Sequence, residues 1–557
     1  MRRAKIVGTL GPSSNTVEMI AKLIKAGLNV ARVNMSHGTH EGHAQTIANI
    51  REASKKAGRE VAILLDLQGP KIRVDKVPAP LELKDDDEWV IGPTKLASNY
   101  PEYQGRYIPT IYDKLVDDCH DGAAILFDDG LIRARALTRD RDVFKIKIEV
   151  GGFLKSNKGI NLPDCDVSAP AFTEKDNEDL MFGLKQGVDY IALSFVRKKE
   201  DVLKVKHILH SLKMNIPIVS KIEKPQAIDN LDSIMEVTDA IMVARGDMGV
   251  EVGNHLVPAL QKLIITKCNQ AGIPVITATQ MLESMTENPT PTRAEASDVA
   301  NAIWDGTDAV MLSGETASGK YPLETVTMMS MIIGEAERAP KERPLLRNID
   351  LSSVNASVMV AASMIAEKID AKKILAVTES GHSCLKISQF RPKTDVLGIT
   401  NDLSTVRRLC LYWGVTPYHL TEHDEYNFNF QRDVVNRVKT ELKLKNGDKL
   451  VITRGDGKFF AQGSSNSVKV EIIKDAPRVL GGSDGLEEGS DGEKKILLDT
   501  SVCGVCQNCI QTCPHGIWER NEVGDTTINK DNVKDCTMDM ECVRVCPTGA
   551  IEIISTR

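Results

Sequence analysis

An α/β fold built on a closed (β/α)8 barrel is predicted by two features of this 557-residue chain. The first is a repeat: eight short apolar or β-branched runs between residues 1 and 315, each followed by a loop and a helical-period stretch. The runs are Lys5–Thr9, Asn29–Asn34, Val61–Asp66, Asp189–Phe195, Pro217–Ile222, Ala240–Arg245, Pro274–Thr279 and Ala309–Ser313. Strands alternating with helices argue for βα units on a parallel sheet. Eight of them fit a closed TIM barrel better than an open doubly wound sheet. The second feature is the gap from Asp66 to Asp189, too long for one βα loop.

That gap changes character. Residues 70–167 hold Pro78, Pro80, Pro93, Pro101 and Pro109 and alternating stretches such as Val143–Val150, so they read as an inserted all-β lid domain. The barrel is then residues 1–69 and 168–344. A helical stretch near 323–340 ends at Pro340 and Pro344. Residues 345–474 alternate again, with strands at Lys373–Val377, Asp395–Ile399 and Lys449–Thr453, and read as a C-terminal α/β domain. Residues 475–495, with five glycines and mixed charge, are expected to be a flexible linker. Residues 496–557 form a cysteine-rich module.

Composition narrows the function classes. Hydrophobic residues make up 42% and charged residues 26%, which suits a globular protein. No window of 18 apolar residues is free of charge, so a membrane span is not expected. The first residues carry no secretory h-region, and a cytoplasmic location is the expectation. A net charge of −7 without a basic run argues against a nucleic-acid partner. Seven of the 12 cysteines lie between Cys503 and Cys546. The other five (Cys119, Cys165, Cys268, Cys384 and Cys410) are scattered and read as separate buried thiols.

Reacting groups in such a barrel come from the C-terminal ends of the strands. Those ends carry Arg32, Asn34, Ser36 and His37; Asp66, Leu67, Lys71 and Arg73; Lys221 and Glu223; Arg245, Gly246 and Asp247; Thr279; and Ser313 and Glu315. Alternate residues on a strand share a face, so Lys221 with Glu223, and Arg245 with Asp247, are expected to project into one pocket. Two carboxylates, Glu223 and Asp247, suit a hard divalent cation. Cations around it (Arg32, Arg73, Lys221, Arg245) suit a phosphoryl group in transfer. Gly314–Lys320 has P-loop spacing, but Tyr321 replaces the metal-binding hydroxyl, so chance spacing is the reading.

With these motifs in hand, the chain resembles the pyruvate kinases over residues 1–474. Lys5–Pro12, Arg32–Gly38, Val219–Glu223, Met242–Gly249, Thr277–Met285 and Leu312–Thr316 carry the likeness. The resemblance implies phosphoryl transfer from phosphoenolpyruvate to ADP, giving pyruvate and ATP. It implies that Glu223 and Asp247 hold Mg2+ or Mn2+, and that Lys221 bridges the moving phosphoryl group. Thr279 would help deliver the proton to the enolate, with Ser313 and Glu315 on the relay side. Arg32 and Arg73 would grip phosphate, and the backbone at Arg245, Gly246 and Asp247 the substrate carboxylate. Asn34, His37, Arg73 and Lys158 would face the nucleotide. Asn34, Ser36, Asp66 and Leu67 match the family's potassium site, and Lys71 stands where many members carry a glutamate. A tethered ammonium there implies that potassium is not required. The resemblance also implies a homotetramer, and a phosphate loop at Thr378–Ser383 for a sugar-phosphate or nucleotide effector.

Residues 503–514 read Cys-x2-Cys-x2-Cys-x3-Cys-Pro, the run of bacterial-type ferredoxins. A second run, Cys536 to Pro547, keeps the spacing but has Asp539 where the second cysteine belongs. With the cross-ligation of two-cluster ferredoxins, Cys503, Cys506, Cys509 and Cys546 would hold one 4Fe–4S cluster. Cys513, Cys536 and Cys542, with Asp539 or an open corner, would hold a second cluster, 4Fe–4S or 3Fe–4S. Phosphoryl transfer moves no electrons, so three roles stay open for this small α+β ferredoxin-like domain: redox regulation, docking to a redox partner, or structure. A different class of function, an iron–sulfur electron carrier with a non-catalytic barrel, is disfavoured by the presence of Lys221, Glu223, Asp247 and Thr279.

Overall fold

The computed structural model describes residues 2–339, 351–420, 430–455, 465–473, 486–500, 503, 506–522, 524–546 and 549–555. Eight parallel strands close a barrel: Lys5–Thr9, Val30–Asn34, Ala62–Asp66, Tyr190–Leu193, Ile218–Ile222, Ala240–Ala244, Val275–Ala278 and Ala309–Leu312. Each pairs with its neighbours in sequence, and the eighth returns to the first with Lys5 opposite Ala309. The period of two sorts their side chains. Ile6, Ile63, Leu65 and Ile191 point out to the helices, while Val7, Leu64, Tyr190 and Met242 fill the interior. Helix starts follow local chemistry, as where Thr173 and Asp176, and Thr292 and Glu295, form reciprocal capping boxes.

The lid is a six-stranded sheet in the order Ile160–Asn161, Ala124–Phe127, Ile132–Asp140, Val143–Val150, Glu88–Pro93 and Tyr107–Thr110. Its alternating strands bury Ile125, Phe127, Phe144, Ile146 and Ile148. A second, two-stranded sheet pairs Leu81–Leu83 with Gly152–Leu154.

The domain after the barrel is a five-stranded sheet, ordered Val415–His419, Val396–Thr400, Lys373–Val377, Lys449–Gly455 and Ser465–Ile472. Both outer strands escape the sequence reading because each is half exposed, so neither shows a strong apolar signal. Cys410 and Leu411 join the interior cluster of the barrel. Tyr190 donates its hydroxyl to the Arg408 carbonyl at 2.7 Å, and Lys5 Nζ donates to the Val415 carbonyl at 2.6 Å. Arg391 lies under the barrel, with Nη1 2.8 Å from Asp308 and Nη2 donating to Asn269 and to the Gly306 carbonyl.

The second compact unit comprises residues 421–450 and 470–557. Its cysteine-rich part has a three-stranded antiparallel sheet (Leu486–Ser490, Lys494–Asp499, Ile551–Ser555), a two-stranded sheet (Trp518–Arg520, Thr526–Ile528) and short helices Asn508–Thr512 and Glu541–Val545. This corrects the expected linker 475–495. Leu486–Ser490 is a paired strand, with Leu486 opposite Asp499 and Ser490 opposite Lys495. Gly489 there serves packing rather than freedom, since a Cβ would meet Val533 at 2.7 Å. Residues 475–485 of that stretch lie outside the described residues. Among the described residues no helix is long and apolar enough to cross a membrane.

The Arg391–Asp308 pair is buried, with side-chain exposures of 9% and 7%. Removing one partner of a buried pair costs about 3–5 kcal/mol, whereas an exposed pair contributes about 0–1 kcal/mol. Arg391→Met is therefore expected to lower the urea midpoint strongly. Lys95→Met, which breaks the exposed Lys95–Asp113 pair, should leave it nearly unchanged.

Candidate active site and iron–sulfur centre

Three barrel strands deliver a charge cluster to one end of the barrel. Arg32 donates from Nε to Asp66 Oδ2 at 2.7 Å and from Nη1 to Thr9 at 2.9 Å. Lys221 Nζ lies 3.4 Å from Asp66 Oδ1 and 3.0 Å from Glu223 Oε1, and donates to Ser194 at 2.8 Å. Lys221 and Glu223 do share one face, as their spacing predicts. Asp66 and Glu223 are almost sealed from solvent. Burial opposes ionisation of Asp66, but Lys221 and Arg32 outweigh it and hold the carboxyl below its usual range. Burial likewise opposes the Lys221 charge, and Asp66 and Glu223 overcome it, so its pKa rises. Burial pushes Glu223 up to about 7, with Lys221 opposing and Asp247 reinforcing the shift.

The irregular backbone around this cluster supports it. Phe195 takes a left-handed φ of 54°, and its N–H donates to Glu223 Oε2 at 2.7 Å. Thr279 adopts φ 70°, a costly conformation for a β-branched residue and one that clusters at functional sites. Its hydroxyl donates to the Ala278 carbonyl at 2.6 Å and accepts from Gly246 N at 2.8 Å.

Two expectations need correction. Strand six ends at Ala244, and Arg245 opens the helix Arg245–Val252, so Arg245 and Asp247 are not alternate strand residues on one face. The Arg245 guanidinium braces strand ends, donating to Asp298 at 2.8 Å and to the Thr279 carbonyl at 2.6 Å. Asp247 instead lines a cleft with Pro70, Lys71, Gly159, Asn161 and Phe195. Glu315 is placed by its motif on the proton-relay side, yet it is fully buried. Its oxygens accept from Ser313 N at 2.6 Å and Leu282 N at 3.2 Å, which makes it a positioning residue.

The nucleotide-side candidates are more open. Partial burial and the nearby charges of Arg73, Lys71 and Arg32 lower the pKa of His37, which gathers these cations around one group. Arg73 donates to the Asn157 carbonyl at 2.9 Å, and Lys158 lies 2.8 Å from Asp128. At the candidate potassium site, Asn34 Oδ1 accepts from Ser36 N at 3.2 Å, and the Leu67 carbonyl accepts from Ser194 at 2.7 Å. Sequence reasoning misses Ser194, which joins Lys221 to Leu67, and Glu251, which joins Lys224 at 2.5 Å to Asn161 at 2.8 Å. No motif flags either residue, because both act through partners distant in sequence. In the candidate effector loop, Thr378 accepts from Gly381 N at 3.0 Å and Ser383 donates to Ser465 at 2.8 Å, so both hydroxyls already have partners within the protein.

The donor sets fit the groups that they would hold. Glu223 Oε1 is buried and accepts no hydrogen bond, with the Lys221 ammonium 3.0 Å away, which leaves a carboxyl oxygen open to a cation. In the cysteine-rich module burial raises Cys509 to about 11, and the neighbouring Cys546, Cys503 and Cys506 add to the shift. Cys542 is raised to about 11 by burial, with Cys513 and Cys536 nearby. Cys513, Cys536, Cys542 and Asp539 line one cavity. Metal binding requires thiolates, so thiols raised in this way would release their protons as a metal is bound. Gln507 and Met540, each just before a helix, both have φ 63°, so Asp539 holds the place in the second run that Cys506 holds in the first.

Residues 1–326 match the family profile "Pyruvate kinase, barrel domain", and residues 356–471 match "Pyruvate kinase, alpha/beta domain". The chain belongs to the pyruvate kinase family. A pyruvate kinase of Geobacillus stearothermophilus is 43% identical over 507 residues, covering 90% of this chain and 85% of that protein. A pyruvate kinase of Staphylococcus aureus (strain MRSA252) matches with the same identity and coverage. Residues 495–549 match the profile "4Fe-4S dicluster domain", so this member of the family carries an iron–sulfur module.

The Glu315 geometry generates a test. In Glu315→Gln one of the two backbone N–H groups would face an amide N–H, and an unsatisfied buried donor costs about 1–3 kcal/mol. The variant is expected to lose both thermal midpoint and kcat. A pure proton relay would lose kcat alone.

Proposed function

We propose that the chain transfers the phosphoryl group of phosphoenolpyruvate to ADP, yielding pyruvate and ATP. One observation carries this reading: Lys221, held between Asp66 and Glu223 at the barrel mouth, keeps its charge despite burial. A fixed cation in a low-dielectric site stabilises charge on a transferring phosphoryl group without reorganising. Glu223 and Asp247 would hold Mg2+ or Mn2+, which when bound neutralises charge on the phosphate and carboxylate oxygens. Arg32 and Arg73 would bind phosphate oxygens, and the backbone around Gly246 and Asp247 the substrate carboxylate. The Thr279 hydroxyl would stand at the enolate, on the path of the proton to carbon three. Ser313 would lie on the same side, held by Glu315. Asn34, His37 and Lys158 would face the nucleotide. Closure of the lid would exclude water from the phosphoryl group.

Potassium is not required in this reading. Lys71 brings a tethered ammonium to the cleft, and Arg32 and Lys221 already neutralise the Asp66 carboxylate. In the iron–sulfur module, Cys503, Cys506, Cys509 and Cys546 would hold one cluster. Cys513, Cys536, Cys542 and Asp539 would hold the other, where the oxygen ligand makes one iron more labile. The module would regulate or tether the kinase. A cytoplasmic homotetramer, with a sugar-phosphate or nucleotide effector, completes the proposal.

The deciding assay follows pyruvate and ATP formation in potassium-free anaerobic buffer, with clusters oxidised and then reduced. ADP-dependent turnover that added potassium leaves unchanged at fixed ionic strength is the expected result. A shift in half-saturation between the two redox states is expected for a regulatory module. Absence of ATP formation would favour an electron carrier with a ligand-binding barrel. Electron paramagnetic resonance with iron analysis should show one cluster that converts between 3Fe and 4Fe forms. In Asp539→Cys both clusters should behave as all-cysteine 4Fe–4S.

A further inference from the structure

The lid contains a cysteine pair that phosphoryl transfer does not use. Cys119 and Cys165 read as isolated thiols along the chain, yet their sulfurs lie 3.6 Å apart in the lid core. Cys119 follows the short helix Leu115–Asp118, and Cys165 lies on the segment that returns from the lid to the barrel. The two are not equivalent. The thiol–thiol contact with Cys119 lowers the Cys165 pKa against burial, and His120 adds a positive charge nearby. Both ring nitrogens of His120 face carbonyl oxygens, Asp121 at 3.0 Å and Asp164 at 3.1 Å. A neutral imidazole has a single N–H, so two carbonyl partners favour the imidazolium, and the pKa of His120 is raised accordingly. Cys165 is thus the better thiolate and Cys119 the proton-bearing partner, an attacking and a resolving sulfur.

The position of the pair ties it to the cleft. Asp118 accepts from Ser168 N at 2.8 Å and from Ser168 Oγ at 3.1 Å, clipping the helix to the return segment. Arg197 donates to the carbonyls of Val167 and Ala169, and both residues line the cleft with Asp247. A covalent bond at Cys119–Cys165 would fasten the short helix to the segment that returns from the lid to the cleft.

We propose that Cys119 and Cys165 form a redox-active dithiol, oxidised by a small peroxide to a disulfide that stiffens the lid's return segment and slows turnover. The Cys165 thiolate attacks one peroxide oxygen, the O–O bond breaks, and the Cys119 thiol protonates the departing hydroxide, giving a Cys165 sulfenic acid, water and a Cys119 thiolate. The Cys119 thiolate then attacks the Cys165 sulfur, the S–O bond breaks, and the departing hydroxide takes back from solvent the proton that Cys165 had released, leaving as a second water. Two thiols and one hydrogen peroxide give one disulfide and two waters, and a dithiol reductant reverses the bond. Both cysteines are largely buried, at 8% and 4% exposure, which selects a small oxidant.

The test treats the full-length protein with hydrogen peroxide, quenches with catalase, and maps alkylated peptides by mass spectrometry. Wild type should show a Cys119–Cys165 disulfide and a severalfold lower kcat that dithiothreitol restores. Cys119→Ser should stop at a Cys165 sulfenic acid trapped by dimedone, and Cys165→Ser should give no trapped adduct at Cys119. Neither variant should show the dithiothreitol-reversible loss, although peroxide damage to the clusters would be common to all three. Free thiols at both positions after cluster cysteines have oxidised would overturn the proposal. So would a formed disulfide with unchanged kcat, or equal trapping in the two variants. Peptide mapping does not depend on the phosphoryl-transfer reading, so its failure and the failure of that reading are distinguishable.

Discussion

Four charged side chains in a space nearly closed to water set the terms for the catalytic end of the barrel. Asp66, Glu223, Arg32 and Lys221 come from strands two, three and five and their ends, and none is more than slightly exposed. An unpaired charge at such depth costs several kcal/mol. The cluster is therefore tolerable because its carboxyls and cations are held within a few ångströms of one another. Register enforces this: Asn34 stands opposite Asp66, which fixes how far Arg32 reaches along its neighbour. Closure of the sheet then brings strand five within reach of strand three through Ser194, in the turn just after the strand between them. The fold positions the charges, and the charges in turn tolerate few other arrangements of the strand ends.

Around that cluster the backbone departs from regular structure, and buried polar groups hold the departures. Thr279 and Phe195 have left-handed φ angles, each with a hydrogen bond to a partner at the site. Arg245 and Glu315 look catalytic as residue types in a motif, but their bonds go to carbonyls, amides and Asp298. They keep Thr279, Leu282 and Ser313 in place. At the opposite end, Lys5, Tyr190 and the Asp308–Arg391 pair join the barrel to the following α/β domain. Burial lowers Lys5 to about 7, so its buried ammonium costs stability below that value. The unfolded chain binds the extra proton between about 7 and its ordinary value, so this contribution makes the fold more stable as pH rises through that window.

Cysteine serves three purposes along the chain. Cys268 and Cys384 are buried and act as small apolar groups, with burial raising both thiols. The seven cysteines of the C-terminal module gather into two sets that alternate between the two sequence runs. Cys119 and Cys165 form a contact that spacing could not announce, because 46 residues of lid separate them.

The barrel, the lid insertion, the strand-end residues and the cysteine runs were legible in the sequence for a physical reason. Each is written in local periodicity or in fixed short spacing, and the chemistry of a strand end or a Cys-x2-Cys turn is set within a few residues. The half-exposed edge strands Val415–His419 and Ser465–Ile472 and the paired strand Leu486–Ser490 were not legible. Their apolar pattern is weak, and Gly489 signals flexibility until Val533 and Ile528 are packed against it. Only tertiary structure decided that Arg245 and Glu315 bond to backbone groups and Asp298, that Ser194 and Glu251 join the site, and that Cys119 meets Cys165. In each case the deciding partner is distant in sequence, and a side chain's task depends on which atoms folding brings to it.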